Sequence, residues 1–291
     1  MTDCLHLPSP LAFWAEQILG PVDAVYDASH ARETAQVWQV VSRARLHYLK
    51  VAPTPVLYSR ETRSSRQALP SLAYGNARPL VGSSADMLSL MLTAVDGEPV
   101  KSDEVLERRR AAHRKAGQLL RRFHPARPDH RAQKAAGNVI QSSVAGLGQH
   151  IEQTGDHPSA AEAATLRRRL SALPDLGLLP CGWRQGDFWE RNRLGNGRRC
   201  ALLDFERNNV GPLVAGFVKL ALSLWPDRSE LREALLKGYG RRLSQAEEHA
   251  LTAFAAADAD SALPYGPRYG DPLVTARGHR TTKCLMQEDR S

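Results

Sequence analysis

The stretch "RQGDFWERN" holds Asp187 and Asn192 five residues apart, and "ALLDFE" follows with a second carboxylate, Asp204, closing an apolar run. These residue types suit one chemistry well. Phosphoryl transfer needs a base to orient the attacking hydroxyl, oxygen ligands for metal at the phosphates, and cations on the phosphate oxygens. Asp187 can be the base. Asn192 and Asp204 can be hard-oxygen ligands for Mg²⁺, which takes only a few ligands from protein. Asp187 with Asn192 also fits an Asx-type loop stabiliser, and Asp204 fits a turn or helix cap. Residue type and spacing leave both readings open.

The elements that must position these residues can be read from patterning. Residues 11–20 predict a short amphipathic helix ended by Gly20. "AVYDA" and "AQVWQVV" predict strands, and with "LHYLKVA" the span 35–52 predicts a β-hairpin broken by Pro53 and Pro55. Residues 56–69 predict a helix, and "ARPLVGS" and "LSLMLTAV" predict two more strands. Beyond "DGEPV" the chain turns helical: 103–124, two segments within 138–173, 216–225, 230–240 and 244–260. "ALLDFE" predicts a strand with Asp204 at its end, 263–273 predicts turns, and a short basic tail follows. The expected class is α+β. A small N-terminal antiparallel sheet lobe, 1–93, precedes a larger, mainly helical lobe, 98–291, with a hinge near 92–97.

Composition bounds the function. The 291 residues suffice for two lobes with real cores. No apolar run approaches the roughly 18 residues of a membrane span, so no membrane association is expected. Cys4, Cys181, Cys200 and Cys284 form no CxxC, which speaks against disulfides and zinc and for a reduced, cytoplasmic protein. The net charge of +8 is uneven. Residues 1–100 carry 8 basic against 9 acidic side chains, and 101–291 carry 31 against 22. The basic residues are scattered rather than interleaved with aromatics, so a nucleic-acid partner is not expected.

"GDFWERN…ALLDFE" resembles the H-G-D-x-x-x-x-N and I-D-[FW]-[ED] motifs of the aminoglycoside phosphotransferase-like kinases, which share the bilobal protein-kinase-like fold. The similarity extends over about 24–255. "VWQVVSRARLHYLKVA" looks like the second and third strands, which implies that Lys50 contacts phosphate. "YSRETRSSR" resembles the helix that pairs with it, implying Glu61 as ion-pair partner. "LMLTAVDGEPV" looks like the strand-to-hinge segment, implying that the backbone of Leu92, Thr93 and Ala94 holds the purine. Arg191, beside Asn192, would steady the transferred phosphate. The resemblance implies ATP or GTP with Mg²⁺ as cofactors and a small-molecule hydroxyl acceptor, an antibiotic. The assembly would be a monomer or homodimer.

Three features depart from the family pattern. Residue 185 is Gln where the family carries His. Residues 215 and 216 are Ala and Gly where the family places an acidic residue that braces the catalytic loop. Losing both predicts a coupled rewiring of the loop. The nucleotide loop, 26–37, has no glycine, so Ser29, Thr34 or Arg32 would cover the phosphates in place of bare backbone. The basic C-terminal region favours a neutral or weakly charged acceptor, such as a sugar-bearing or nucleoside antibiotic of the capuramycin type, over a polycationic aminoglycoside. A metabolic hydroxyl-compound kinase and a nucleotide-binding pseudokinase are the rival readings.

Overall fold

The computed structural model describes residues 6–29, 35–100, 104–125, 159–171, 179–190, 192–195, 199–268 and 270–288. The chain divides into two compact units. The first comprises Met1–Lys101 with Arg191–Asn208, and the second Ser102–Glu190 with Asn209–Ser291. The expected division ran at 92–97 with everything after 98 in the second lobe; in the structure Arg191–Asn208 packs with the first unit.

In the first unit, β1 (Ala24–Asp27), β2 (Gln36–Ser42), β3 (Arg45–Val51), β4 (Leu80–Ser84) and β5 (Ser89–Thr93) form an antiparallel sheet in the order β1-β2-β3-β5-β4. Strand periodicity sends neighbouring side chains to opposite faces. Leu49 therefore joins Val25, Val40 and Met91 in a core closed by Leu11 and Ala15 of α1 (Ser9–Leu19). Lys50 points the other way, on the face that also carries Tyr48. The helix α2 (Pro55–Gln67) begins where Thr54 accepts the Leu57 N–H at 3.3 Å, with Pro55 in the first turn, where its missing N–H costs nothing. A second sheet joins β6 (Glu98–Pro99), β8 (Arg193–Gly195) and β9 (Cys200–Leu202) in the order β6-β8-β9. This sheet explains why 191–208 belongs to the first unit: its hydrogen bonds run to β6 and to Asn76, whose carbonyl accepts the Leu202 N–H at 2.9 Å.

In the second unit, α3 (Leu106–Phe123) packs on α6 (Ser229–Tyr239) where two glycines allow backbone contact. A Cβ at Gly117 would fall 2.1 Å from the Leu235 carbonyl oxygen, and one at Gly238 would fall 1.8 Å from that of Arg114. The helix α4 (Ala160–Ser171), the strand pair β7 (Cys181–Arg184) and β10 (Asn209–Pro212), α5 (Val218–Ser223), α7 (Gln245–Arg268) and α8 (Pro272–Glu288) complete it. Patterning misplaced the end of this region. Turn chemistry was expected over 263–273, then a basic tail; instead α7 runs through Pro264 and Pro267, and α8 follows. Each proline removes one helical hydrogen bond. Burial of Ala256, Ala259 and Leu263 outweighs that loss, and Gly266 lets the Thr275 side chain of α8 come close. Among the described residues, no helix is long and apolar enough to cross a membrane. The helix expected within 138–153 lies outside the described residues.

Candidate active site

Lys50 of β3 is 8% exposed, too buried for an ammonium without partners. Its Nζ lies 2.9 Å from Glu61 Oε2 of α2, 3.0 Å from Asp204 Oδ1 and 3.0 Å from Glu206 Oε2. Burial works against its charge, but the three carboxylates prevail and hold its pKa well above the usual lysine value. The expected Lys50–Glu61 ion pair is thus present. Glu206, two residues after Asp204, was not anticipated as a partner of Lys50, although it closes the "DFE" motif.

Asp204 is not at a strand end as expected. The strand β9 stops at Leu202, and Asp204 follows with φ of 55°, a left-handed conformation that Asp tolerates better than most residues. The ladder does bring the two proposed metal ligands together: the Leu203 N–H donates to the Asn192 carbonyl oxygen at 2.9 Å, so Asn192 sits opposite the residue before Asp204. Glu61, Asp204 and Glu206 each offer one oxygen, all within 4.8 Å of one another. These are hard oxygen donors, and the set fits Mg²⁺ rather than a thiophilic ion.

In the hinge segment, Leu92 pairs with Tyr48, while the Thr93 N–H donates to the Pro79 carbonyl oxygen at 2.9 Å and the Ala94 N–H to that of Leu46 at 3.1 Å. Both donors are engaged within the sheet. Ser29 is likewise tied into its own hairpin. Its N–H donates to Asp27 Oδ1 at 2.8 Å, and its hydroxyl donates to the Val37 carbonyl oxygen at 3.2 Å while accepting the Val37 N–H at 3.0 Å. Thr34, Arg32 and Arg191 lie outside the described residues.

Asp187 belongs to the second unit and is 3% exposed. Gly186, with φ of 82°, turns the chain there. The side-chain oxygen of Gln185 then accepts the Asp187 N–H at 2.8 Å. Oδ1 of Asp187 accepts the Trp189 indole N–H at 2.8 Å and is ion-paired with Lys219 of α5. Burial pushes the Lys219 pKa down; Asp187 and Asp258 act against that, and Arg277 reinforces it. Lys219 Nζ and the Arg277 guanidinium lie 5.1 and 4.8 Å from the centre of the Trp189 ring, and Arg277 pairs with Asp258 of α7 at 3.2 Å. Further along the loop, Glu190 accepts from Arg109 of α3 at 2.9 Å, and the same carboxylate lies 2.9 Å from His113 Nε2.

Sequence reasoning missed Lys219, Arg109 and His113. The i, i+4 spacing of Arg109 and His113 put both on one helix face, a signal that was legible, but nothing local tied Lys219 to a residue 32 positions earlier. At Gly216 a Cβ would meet only the Arg184 Cβ, at 3.7 Å, so no carboxylate reaches the loop from there.

A small antiparallel sheet with a buried Lys–Glu pair, a helical portion and a loop carrying Asp187 define the protein-kinase-like α+β fold of small-molecule phosphotransferases. The aminoglycoside phosphotransferase APH(4)-Ia, a thermostable mutant in apo form, superposes with a TM-score of 0.72 at 13% identity, over 96% of this chain and 99% of that one. The gentamicin–APH(2")-IIa complex gives 0.70 at 15%, over 96% of each chain. A choline/ethanolamine kinase family protein from Mesorhizobium loti gives 0.66 at 16%, over 92% and 89%. No curated protein matches in sequence. The phosphotransferase enzyme family matches residues 27–254, and the chain belongs to that family.

Proposed function

We propose that the protein moves the γ-phosphoryl group of ATP or GTP to a hydroxyl of a small molecule. The observation that carries this reading is the buried Lys50–Glu61–Asp204–Glu206 cluster with Asn192 beside it. Lys50 would contact the phosphates. Asn192 and Asp204 would hold Mg²⁺, which neutralises phosphate charge when bound. Since the Thr93 and Ala94 N–H groups are engaged, a purine held by Leu92–Ala94 would use their other backbone groups. Asp187 would orient the acceptor and take its proton. The acceptor oxygen then bonds to the γ-phosphorus, the bond to the β–γ bridging oxygen breaks, and the nucleoside diphosphate leaves with that electron pair. Thr34 and Arg191 would add contacts to the phosphates, and Ser29 would tie the start of β2 to the end of β1 through Val37.

The acceptor we favour is a neutral or weakly charged sugar-bearing or nucleoside antibiotic, such as the capuramycin type, with an aminoglycoside as the cationic alternative; the protein would then act in the cytoplasm as a resistance enzyme. Lys219, paired with Asp187, and Arg277, against the Trp189 ring, support the less cationic choice. A metabolic hydroxyl-compound kinase is the second reading, supported by the likeness to a choline/ethanolamine kinase family protein.

The test is phosphoryl transfer from Mg·ATP and Mg·GTP to a panel of hydroxyl antibiotics and to choline, read by mass. Asp187→Ala should lower turnover by roughly 10²–10⁴-fold, the scale of a lost positioned base. Asp204→Ala should abolish metal-dependent transfer. Nucleotide binding with no transfer to any acceptor or to water would instead identify a pseudokinase.

A further inference from the structure

We propose that Lys219 is a positioning residue for Asp187, setting the orientation of the carboxylate that receives the acceptor proton. The inference rests on the role proposed for Asp187 above. An ion pair with one partner 3% exposed and the other pinned on a helix is not a surface accident. Burying an ammonium is costly unless it is paired and hydrogen-bonded. Here the ammonium has one task in view, because Asp187 Oδ1 is its ion-pair partner and the Trp189 indole N–H donates to the same oxygen at 2.8 Å.

The surroundings hold Lys219 in place. The Trp189 ring centre lies 5.1 Å from its Nζ and 4.8 Å from the Arg277 guanidinium. Arg277 of α8 is in turn fixed by Asp258 of α7 at 3.2 Å. The charged groups acting on Lys219 are therefore Asp187 from the loop, Asp258 from α7 and Arg277 from α8. Lys219 of α5 thus meets the Asp187 carboxylate directly, while the Asp258–Arg277 pair of α7 and α8 acts on Lys219 itself. Ala215 and Gly216 offer no side chain for this purpose, and Lys219, one turn further on, supplies it directly to the acid itself. A displacement of about 1 Å in such a group can cost on the order of 100-fold in rate.

The experiment uses the full chain with Mg·ATP and Mg·GTP, water being the acceptor, and reads γ-phosphate release. Lys219→Met should lower kcat by about 100-fold with the nucleotide KM within about twofold, the mark of a misplaced base rather than lost binding. Lys219→Arg should recover part of kcat. Equal kcat in wild type and Lys219→Met overturns the proposal, and so does a fall in kcat that Lys219→Arg fails to relieve. Should Lys219→Met not fold, the ¹⁵Nζ signal of Lys219 is titrated in wild type and in Asp187→Asn. The proposal expects the amine to lose its proton at lower pH once the carboxylate is neutral; an unmoved titration overturns it. If Asp187→Asn retains full γ-phosphate release, the role of Asp187 fails while the Lys219 contact stands or falls on the titration alone.

Discussion

The side-chain oxygen of Gln185 accepts the backbone N–H of Asp187 at 2.8 Å, and both residues are buried. A single amide thus fixes the turn that presents the proposed base. Removing an acceptor from a buried N–H costs roughly 1–3 kcal/mol. Gln185→Ala should lose about that much in urea unfolding. Gln185→His keeps an acceptor nitrogen near the same place and should lose less. Equal stability of Gln185→Ala and wild type would count against this brace.

Lys50 meets Glu61, Asp204 and Glu206 within 3.0 Å. Lys50→Met leaves three carboxylates crowded in a buried site without the ammonium that pairs with them, and the more distant charge of Arg78 acts on Glu61 and Asp204. Breaking a buried pair in this way costs about 3–5 kcal/mol at neutral pH. Burial raises the Glu61 pKa, so the native variant takes up a proton there before the unfolded chain does, and the deficit should shrink as pH falls. Urea unfolding of the variant at pH 7 and pH 4.5 reads the difference, and a deficit that does not change with pH is the contrary result.

His124 is fully enclosed, with Nδ1 2.8 Å from the Tyr239 hydroxyl, and burial lowers its pKa to about 3. The sign follows from proton counting: the unfolded chain takes up a proton near pH 6.5 that the native chain refuses until about pH 3. The stability contributed by neutral His124 is therefore complete above about pH 6.5 and is lost as pH falls towards 3. The slope approaches 1.4 kcal/mol per pH unit at most. His124→Asn should flatten thermal stability across that window; an unchanged slope would remove His124 from the account.

Asp260 on α7 works in the opposite direction. Burial raises its pKa to about 7, against a weaker opposing pull from Arg167. The native chain keeps a proton that the unfolded chain releases near 3.8, so stability falls as pH rises from there to about 7. Asp260→Asn should raise the Tm above wild type at pH 8 and match it below pH 4. A lower Tm at pH 8 would mean that the ionised carboxylate is well partnered.

Much of the first unit was legible before folding. The hairpin over 35–52, the helix after Pro55 and the strand to Thr93 all appear, because alternating apolar residues and proline stops are local signals. The short strands β6, β7, β8 and β10 were not anticipated, since two to four residues carry too little pattern. The prolines of α7 misled for a related reason: local chemistry favoured turns, and the buried face that overrides them is assembled from residues distant in sequence.

The sequence by itself determined which groups are candidates for the proposed chemistry. Asp187, Asn192 and Asp204 are recognisable from type and spacing, and Lys50 and Glu61 from a resemblance that the ion pair at 2.9 Å then realised. Only the tertiary structure decided how those groups are held. Gln185 serves Asp187 through a backbone N–H, Lys219 reaches it from a later helix, and Glu206 turns inward to Lys50. Spacing along the chain encodes a residue's identity and its secondary structure. Contacts between residues tens to more than a hundred positions apart depend on how whole elements pack, and no local pattern contains that.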